Sequence, residues 1–260
     1  MRKRYDRTLK QVLTREFSSR DPEARISLDY PVSQEGFTLD LVFRSSTREA
    51  KGVDFPPFLL TPHLCCQFRH AGSTLRPLDF QRFLAQVLLY ACQENLEDFG
   101  SVSLVVVVSR VAWERFRGRR DYALSLVQQG VYLEEVKCRA VVIESNELSV
   151  IPGNYPYLLI SEGERRREFI ERILREKDGY YVTHAYRLYR EEVRAMAEER
   201  GIELEDVLTP RDLIQDLGSK KIIEELGIRK IVEETGIERI IEEVGIEKIR
   251  EYLKSKGISC

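Results

Sequence analysis

Three side chains have the types and spacing to do chemistry together. FTLDLVFR reads as a β-strand in which Phe37, Leu39, Leu41 and Phe43 alternate with Thr38, Asp40 and Val42, so Asp40 faces away from the phenylalanines and leucines. HLCCQFRH reads as another strand, with His63, Cys65, Gln67 and Arg69 on one face and Leu64, Cys66, Phe68 and His70 on the other. Two-residue spacing puts Gln67 and Arg69 on the same face. The set offers a carboxylate, an amide oxygen and a guanidinium that cannot give up its proton, so Arg69 is able to stabilise charge but not to act as a base. A rival use of the same strand is a soft metal site of His63, Cys65, Gln67 and His70; such sites need three or four soft ligands, and only His63 and Cys65 line up.

A second group is basic. Arg110, Arg115, Arg117, Arg119 and Arg120 are interleaved with Trp113, Phe116 and Tyr122, a composition suited to phosphate contacts with some stacking; the alternative is a solvated arginine-rich loop. Arg2, Lys3, Arg4, Arg7 and Lys10 crowd the start of the chain. With three histidines, no Ser/His/Asp or Cys/His triad can be assembled, and there is no GxGxxG or GxxxxGK[ST] loop to cradle a nucleotide.

The composition bounds what could position these groups. A chain of 260 residues, 43% hydrophobic and 32% charged, is too apolar to be disordered and too polar for a membrane protein. Its longest nearly pure apolar run, Val102 to Val108, is far too short to span a bilayer, and the N-terminus lacks the apolar core of a signal peptide, so the expected location is cytoplasmic. Five cysteines without a CxxC pair read as buried free thiols rather than as a disulfide framework. The net charge of −2 hides an asymmetry: residues 191–260 hold 18 acids against 12 bases, leaving 25 acids and 29 bases in residues 1–190.

The elements follow from periodicity. Tyr5, Leu9, Val12, Leu13 and Phe17 form one apolar stripe on a first helix, and Arg25 to Val32 and Phe37 to Phe43 form two strands joined by SQEG. Residues 44–62, with three prolines, read as an irregular excursion before the third strand, His63 to His70. Pro77 opens a long helix over Leu78 to Glu94, and Ser103 to Val108 is a central strand, β-branched on both faces. An arginine-rich helix or loop, a helix near Tyr122 to Gln129 and a strand at Cys138 to Glu144 complete the front. From Gly163 the chain reads as helical, charged and without strands, with a break at Asp178-Gly179.

Gly218, Gly227, Gly236 and Gly245 recur every nine residues in units such as GIERIIEEV. Nine residues rotate a helical face by half a turn net, so a single stripe does not survive in one continuous helix. Short helices each ending in a left-handed glycine cap, with Ile237 or Ile246 packed back, solve this and imply a self-associating stack; a continuous helix pairing with another chain is the alternative.

The order helix, three strands, helix, strand, with an acid midway along the second strand and polar residues two apart on the third, resembles the core of the PD-(D/E)XK nuclease superfamily, and more narrowly its recombination-promoting nuclease and putative transposase branch. YDRTLKQVL is similar to that branch's first-helix signature, an aspartate followed four places on by a lysine, here Asp6 and Lys10. FTLDLVFR is similar to its metal-binding strand, and CCQFRH with FQRFLAQVLLY to its third strand and following helix. The resemblance covers residues 5–145. It implies an α/β fold with a restriction-endonuclease-like core over residues 1–160; the periodicity read above adds an all-helical C-terminal region, a helical extension over 161–217 and the repeat tail over 218–260. It further implies a divalent-metal-dependent nuclease acting on DNA, with Mg²⁺ or Mn²⁺ as cofactor. Asp40 would be metal ligand, Gln67 a weak second ligand and Arg69 an electrophilic clamp. Asp6 or Glu16 of the first helix would be a possible additional acid; Lys10 and, from the arginine-rich composition above, Arg115, Arg117, Arg119 and Arg120 are the expected contacts to nucleic acid. Gln67 stands where the general pattern has a carboxylate, and Arg69 where it has a lysine. These departures motivate an alternative of another class, a nuclease-fold protein that binds DNA or a protein partner without cutting, assembled into a homo-oligomer by the repeat tail.

Overall fold

The computed structural model describes residues 2–32, 37–45, 61–117, 124–134 and 139–208. The excursion at 46–60, Arg119, Arg120, Tyr122, Cys138, Cys260 and the whole repeat tail lie outside the described residues. The chain divides into two compact units, Met1–Phe169 and Ile170–Cys260.

The first unit is mixed α/β. Its elements run α1 (Arg2–Arg20), β1 (Arg25–Pro31), β2 (Thr38–Arg44), β3 (His63–Phe68), β4 (Thr74–Leu75), α2 (Pro77–Gln93), β5 (Val102–Val108), β6 (Arg110–Val111), α3 (Trp113–Phe116), β7 (Ser125–Gln128), β8 (Val131–Glu134), β9 (Arg139–Glu144), α4 (Tyr155–Leu158) and α5 (Gly163–Glu176), in which the unit boundary falls. Seven strands make one sheet in the order β1-β2-β3-β5-β9-β8-β7, and β4 and β6 pair separately. β3, β5 and β9 run parallel, and the outer pairs are antiparallel.

β5 is the axis of the core. All seven of its residues are buried, as expected of a strand covered on both faces. Val102, Leu104, Val106 and Val108 join a cluster with Phe80, Phe83, Leu84, Val87, Tyr90 and Ala91 of α2, and with Leu39, Val42 and Cys65 of the neighbouring strands. Arg76, in extended backbone, lets Pro77 begin the helix where its missing N–H has no partner to lose. None of the α1 residues belongs to that cluster; α1 packs on β2 and α4 through the stripe Tyr5, Leu9, Val12, Leu13 and Phe17, all buried.

Three expectations need correction. The helix expected near Tyr122 to Gln129 is, over Ser125–Gln128, strand β7, because the segment pairs antiparallel with β8, itself unforeseen. The third strand stops at Phe68, although the Arg69 N–H still bonds the Val107 carbonyl at 3.0 Å. Cys65 and Cys66 are buried thiols as expected, but Cys92 is exposed on α2.

In the second unit, α6 (Gly179–Glu199) is capped by the Asp178 carboxylate, which accepts the Tyr181 N–H at 3.2 Å, and is kinked at Tyr189. Among the described residues this unit has no strand. No described helix is long and apolar enough to cross a membrane.

Candidate functional site

The geometry around Asp40 begins with the register of β1, β2 and β3. β1 and β2 stay in register from Arg25↔Arg44 to Pro31↔Thr38, skipping only the position between Leu28↔Leu41 and Tyr30↔Leu39, where Asp29 (φ +50°) and Asp40 stand opposite each other. The β2–β3 ladder stops at Leu41↔Cys66. Beyond that pair, side chains take over from backbone. The Asp40 carboxylate accepts the Phe68 N–H at 2.7 Å, and the Gln67 amide donates to the Thr38 carbonyl at 2.9 Å. Each residue thus bonds the other strand's backbone where ladder bonds end.

Beyond this clasp the two side chains part. Gln67 turns to α2, donating to Gln86 Oε1 at 3.1 Å. The other oxygen of Asp40 faces Lys10 of α1, whose Nζ is 3.9 Å away. Arg69 pairs with Asp79 at 3.2 Å and lies over the Phe83 ring, 5.0 Å from its centroid. Among the described residues no hydrogen bond or ion pair joins Asp40 to Gln67 or to Arg69.

Lys10 is the centre of what does converge. Its side chain is 6% exposed, and its ammonium bonds Asp6 at 2.8 Å and Asp29 at 2.5 Å, with Asp40 as the third carboxylate. Asp6 and Lys10 are four apart on α1, which puts both on one helical face. Burial alone pulls the Lys10 pKa down, but the bonds from Asp29 and Asp6 and the charge of Asp40 outweigh it and raise the value. Asp40, with 18% of its side chain exposed, shows the opposite balance. Burial pushes its carboxyl up to about 6, against the pull of the Phe68 N–H and of Lys10. Lys10, expected among the contacts to nucleic acid, is therefore turned inward and committed to carboxylates. Asp29 was not legible as a participant, because its place depends on a left-handed backbone that no local pattern announces.

The donor chemistry does not fit a divalent ion held by Asp40 and Gln67. Mg²⁺ wants anionic oxygens, whereas one Asp40 oxygen is occupied by a backbone N–H, the other faces an ammonium, and the Gln67 amide is aligned by two donated bonds. Among the described residues no group of three or more His, Cys, Asp and Glu is disposed to hold a metal ion. The soft alternative fares no better: His63 Nδ1 lies 2.7 Å from the Tyr90 hydroxyl, Cys65 is in the core on the α2 side, and His70 Nδ1 bonds the Ala71 carbonyl.

The arginine segment is only partly as expected. Arg115 and Arg117 are exposed, and the one ion pair of Arg115 is a distant contact with Glu114 at 3.9 Å. Two of the aromatics of this segment, Trp113 and Phe116, are engaged within the fold. Phe116 is buried against Phe80, and Trp113 packs on Tyr132 with ring centroids 4.2 Å apart while donating Nε1–H to Glu144 at 2.9 Å. Glu144, 5% exposed, also accepts the Val111 N–H at 2.8 Å; burial raises its pKa despite these donors.

A further polar cluster escaped sequence reasoning. Arg44 bonds the Tyr90 hydroxyl at 3.1 Å and Glu94 at 2.7 Å, and Tyr30 bonds the same Glu94 oxygen at 2.5 Å. The Tyr90 oxygen accepts from Arg44 and also shares a 2.7 Å hydrogen bond with His63 Nδ1, whose direction is set by the imidazole tautomer. This cluster ties the end of α2 to β1, β2 and β3. Compared with protein-family models, curated proteins and solved structures, the chain matches none.

Proposed function

We propose that the protein is a nuclease-like α/β protein that binds DNA through its backbone phosphates without hydrolysing them. The observation that carries this reading is the commitment of all three expected site residues to local partners: Asp40 to the Phe68 N–H, Gln67 to Thr38 and Gln86, and Arg69 to Asp79. A hydrolytic site needs an ion and a poised nucleophile beside the phosphate; here an ammonium stands among the acids instead. Exposed Arg115 and Arg117 supply charge for phosphate contacts, and Phe116, buried between them, offers no ring for base stacking, which favours duplex DNA over single strands.

The test is fluorescence anisotropy on a labelled duplex at several salt concentrations, with a parallel gel of plasmid DNA in Mg²⁺ or Mn²⁺. Binding with intact plasmid is expected. The double variant Arg115→Ala, Arg117→Ala should lower the slope of log affinity against log salt by roughly 2. Absence of binding at low salt refutes the reading. A second reading, a metal-dependent nuclease, draws on one observation: Asp6 of the first helix and Asp40 of the second strand meet the same ammonium, as the resemblance implies for a helix acid and a strand acid. Plasmid cutting that disappears in Asp40→Ala would establish that reading and displace the first.

A further inference from the structure

The short ladder of β4 and β6 turns one face to the core and a polar face outward. Leu75 and Val111 stand opposite each other and are buried in the core, so Thr74 and Arg110, the neighbouring pair, face out. Arg76 shares that outer face: its backbone is extended, and the Ala112 N–H bonds the Leu75 carbonyl at 3.0 Å, which carries the pairing one step past the ladder. The core fixes Arg115 and Arg117 close by. The Phe80 N–H bonds the Arg76 carbonyl at 3.1 Å, the Phe80 ring packs on Phe116, and Phe116 stands between the two arginines. All four arginines and Thr74 are exposed, and among the described residues the side chains of Thr74, Arg76 and Arg117 have no hydrogen bond or ion pair. The anion that does reach this surface belongs to the chain itself. One oxygen of Glu162 pairs with Arg110 at 3.2 Å, and the other lies against Gly72, where a Cβ would come within 3.0 Å of it. The remaining acids are Asp79, held by Arg69, and Glu114, 3.9 Å from Arg115.

We propose that the outer face of β4 and β6 is a phosphate-binding strip for duplex DNA. Thr74, Arg76 and Arg110 hold backbone phosphates next to those held by Arg115 and Arg117, and Glu162 is an internal anion that the DNA displaces from Arg110. The proposal rests on the reading of the protein as DNA-binding and extends it from two arginines to a strip anchored on the core. Charge complementarity selects the occupant. A guanidinium offers a planar fork that fits two phosphate oxygens, and the Thr74 hydroxyl adds a neutral donor beside Arg110. Contacts of this kind fix position and carry no base sequence, so the strip is indifferent to sequence. The carboxylate of Glu162 marks a place where an anionic oxygen already fits, between the Arg110 guanidinium and a turn whose Gly72 has no side chain to exclude it.

The test titrates the full chain against a labelled duplex by anisotropy over a salt series, with circular dichroism to verify that each variant is folded. Arg76→Ala should weaken binding roughly 5–10-fold at 100 mM salt and lower the slope of log affinity against log salt by about 1. Glu162→Gln should tighten binding roughly 2–5-fold, the range that an exposed ion pair supplies, and it decides alone if Arg76→Ala does not fold. Arg25→Ala is the control for net charge. Arg25 is exposed at the opposite end of the sheet, facing Arg44, which in turn faces His63 where β3 begins, and its loss should change affinity by less than about twofold. Wild-type binding that Arg76→Ala weakens no more than Arg25→Ala does, or that Glu162→Gln fails to tighten, overturns this inference and leaves the DNA reading standing on Arg115 and Arg117. A wild type that binds no duplex at low salt, or binds phosphatidylserine vesicles instead, overturns both.

Discussion

Replacing Asp40 by Asn isolates the charge at the centre of the site. Asn retains an oxygen for the Phe68 N–H and removes only the ionisable group. Burial moves the carboxyl from 3.8 to about 6, a shift of roughly two units, and each unit corresponds to about 1.4 kcal/mol. The sign follows from linkage. Because the folded value lies above the unfolded one, the protonated acid's contribution is fully present below pH 3.8 and is lost as the pH rises through about 6. Above that the native state carries a buried carboxylate at a cost of at most roughly 3 kcal/mol. The Asn amide nitrogen would face the Lys10 ammonium, a donor against a donor, which takes back about 1 kcal/mol. The expected net gain for Asp40→Asn is about 1–2 kcal/mol at pH 8, or roughly 2–8 °C in Tm, turning into a loss of up to about 1 kcal/mol near pH 4, where only the amide-against-ammonium cost remains. Thermal denaturation of both proteins from pH 4 to 8 checks this. A variant less stable than wild type at pH 8, or a difference that does not change with pH, would refute the reasoning by showing that attraction to Lys10 exceeds the burial penalty.

Two further outcomes follow from the polar clusters. His63 is held below its ordinary 6.5 by burial and by the charge of Arg44, so its stabilising neutral form is lost as the pH falls from 6.5 toward the lower folded value; an NMR titration placing the native imidazole at or above 6.5 contradicts the dominance of burial and the Arg44 charge over Glu94. Glu144→Leu should destabilise the fold by about 1–3 kcal/mol, since the Val111 N–H and the Trp113 Nε1–H lose their acceptor; urea denaturation followed by the fluorescence of Trp113, the only tryptophan, measures it, and an unchanged midpoint rules the contact out as a contributor.

What could be read from residues alone is what depends on local period. The α1 stripe from Tyr5 to Phe17, the apolar run of β5, the proline-led α2 and the order helix, three strands, helix, strand are set by side-chain spacing on a single element, and all stand in the structure. The Asp6–Lys10 ion pair follows from spacing too, the two being four apart on one helix, although Asp6 was expected as an additional acid and Lys10 as a contact to nucleic acid. Ser125–Gln128 was not legible, because a short exposed segment becomes a strand only by pairing with β8. Nor was the direction of Asp40: alternation along a strand presumes an unbroken ladder, and the β2–β3 ladder ends at Leu41↔Cys66, one residue before the acid. Sequence determined the elements with a strong period of their own and the chemical groups they carry. Tertiary structure alone decided which groups meet, because Asp29, 19 residues from Lys10, reaches it through a left-handed turn of backbone, while Gln67 on the neighbouring strand and Arg69 just past its end are drawn off by partners on α2.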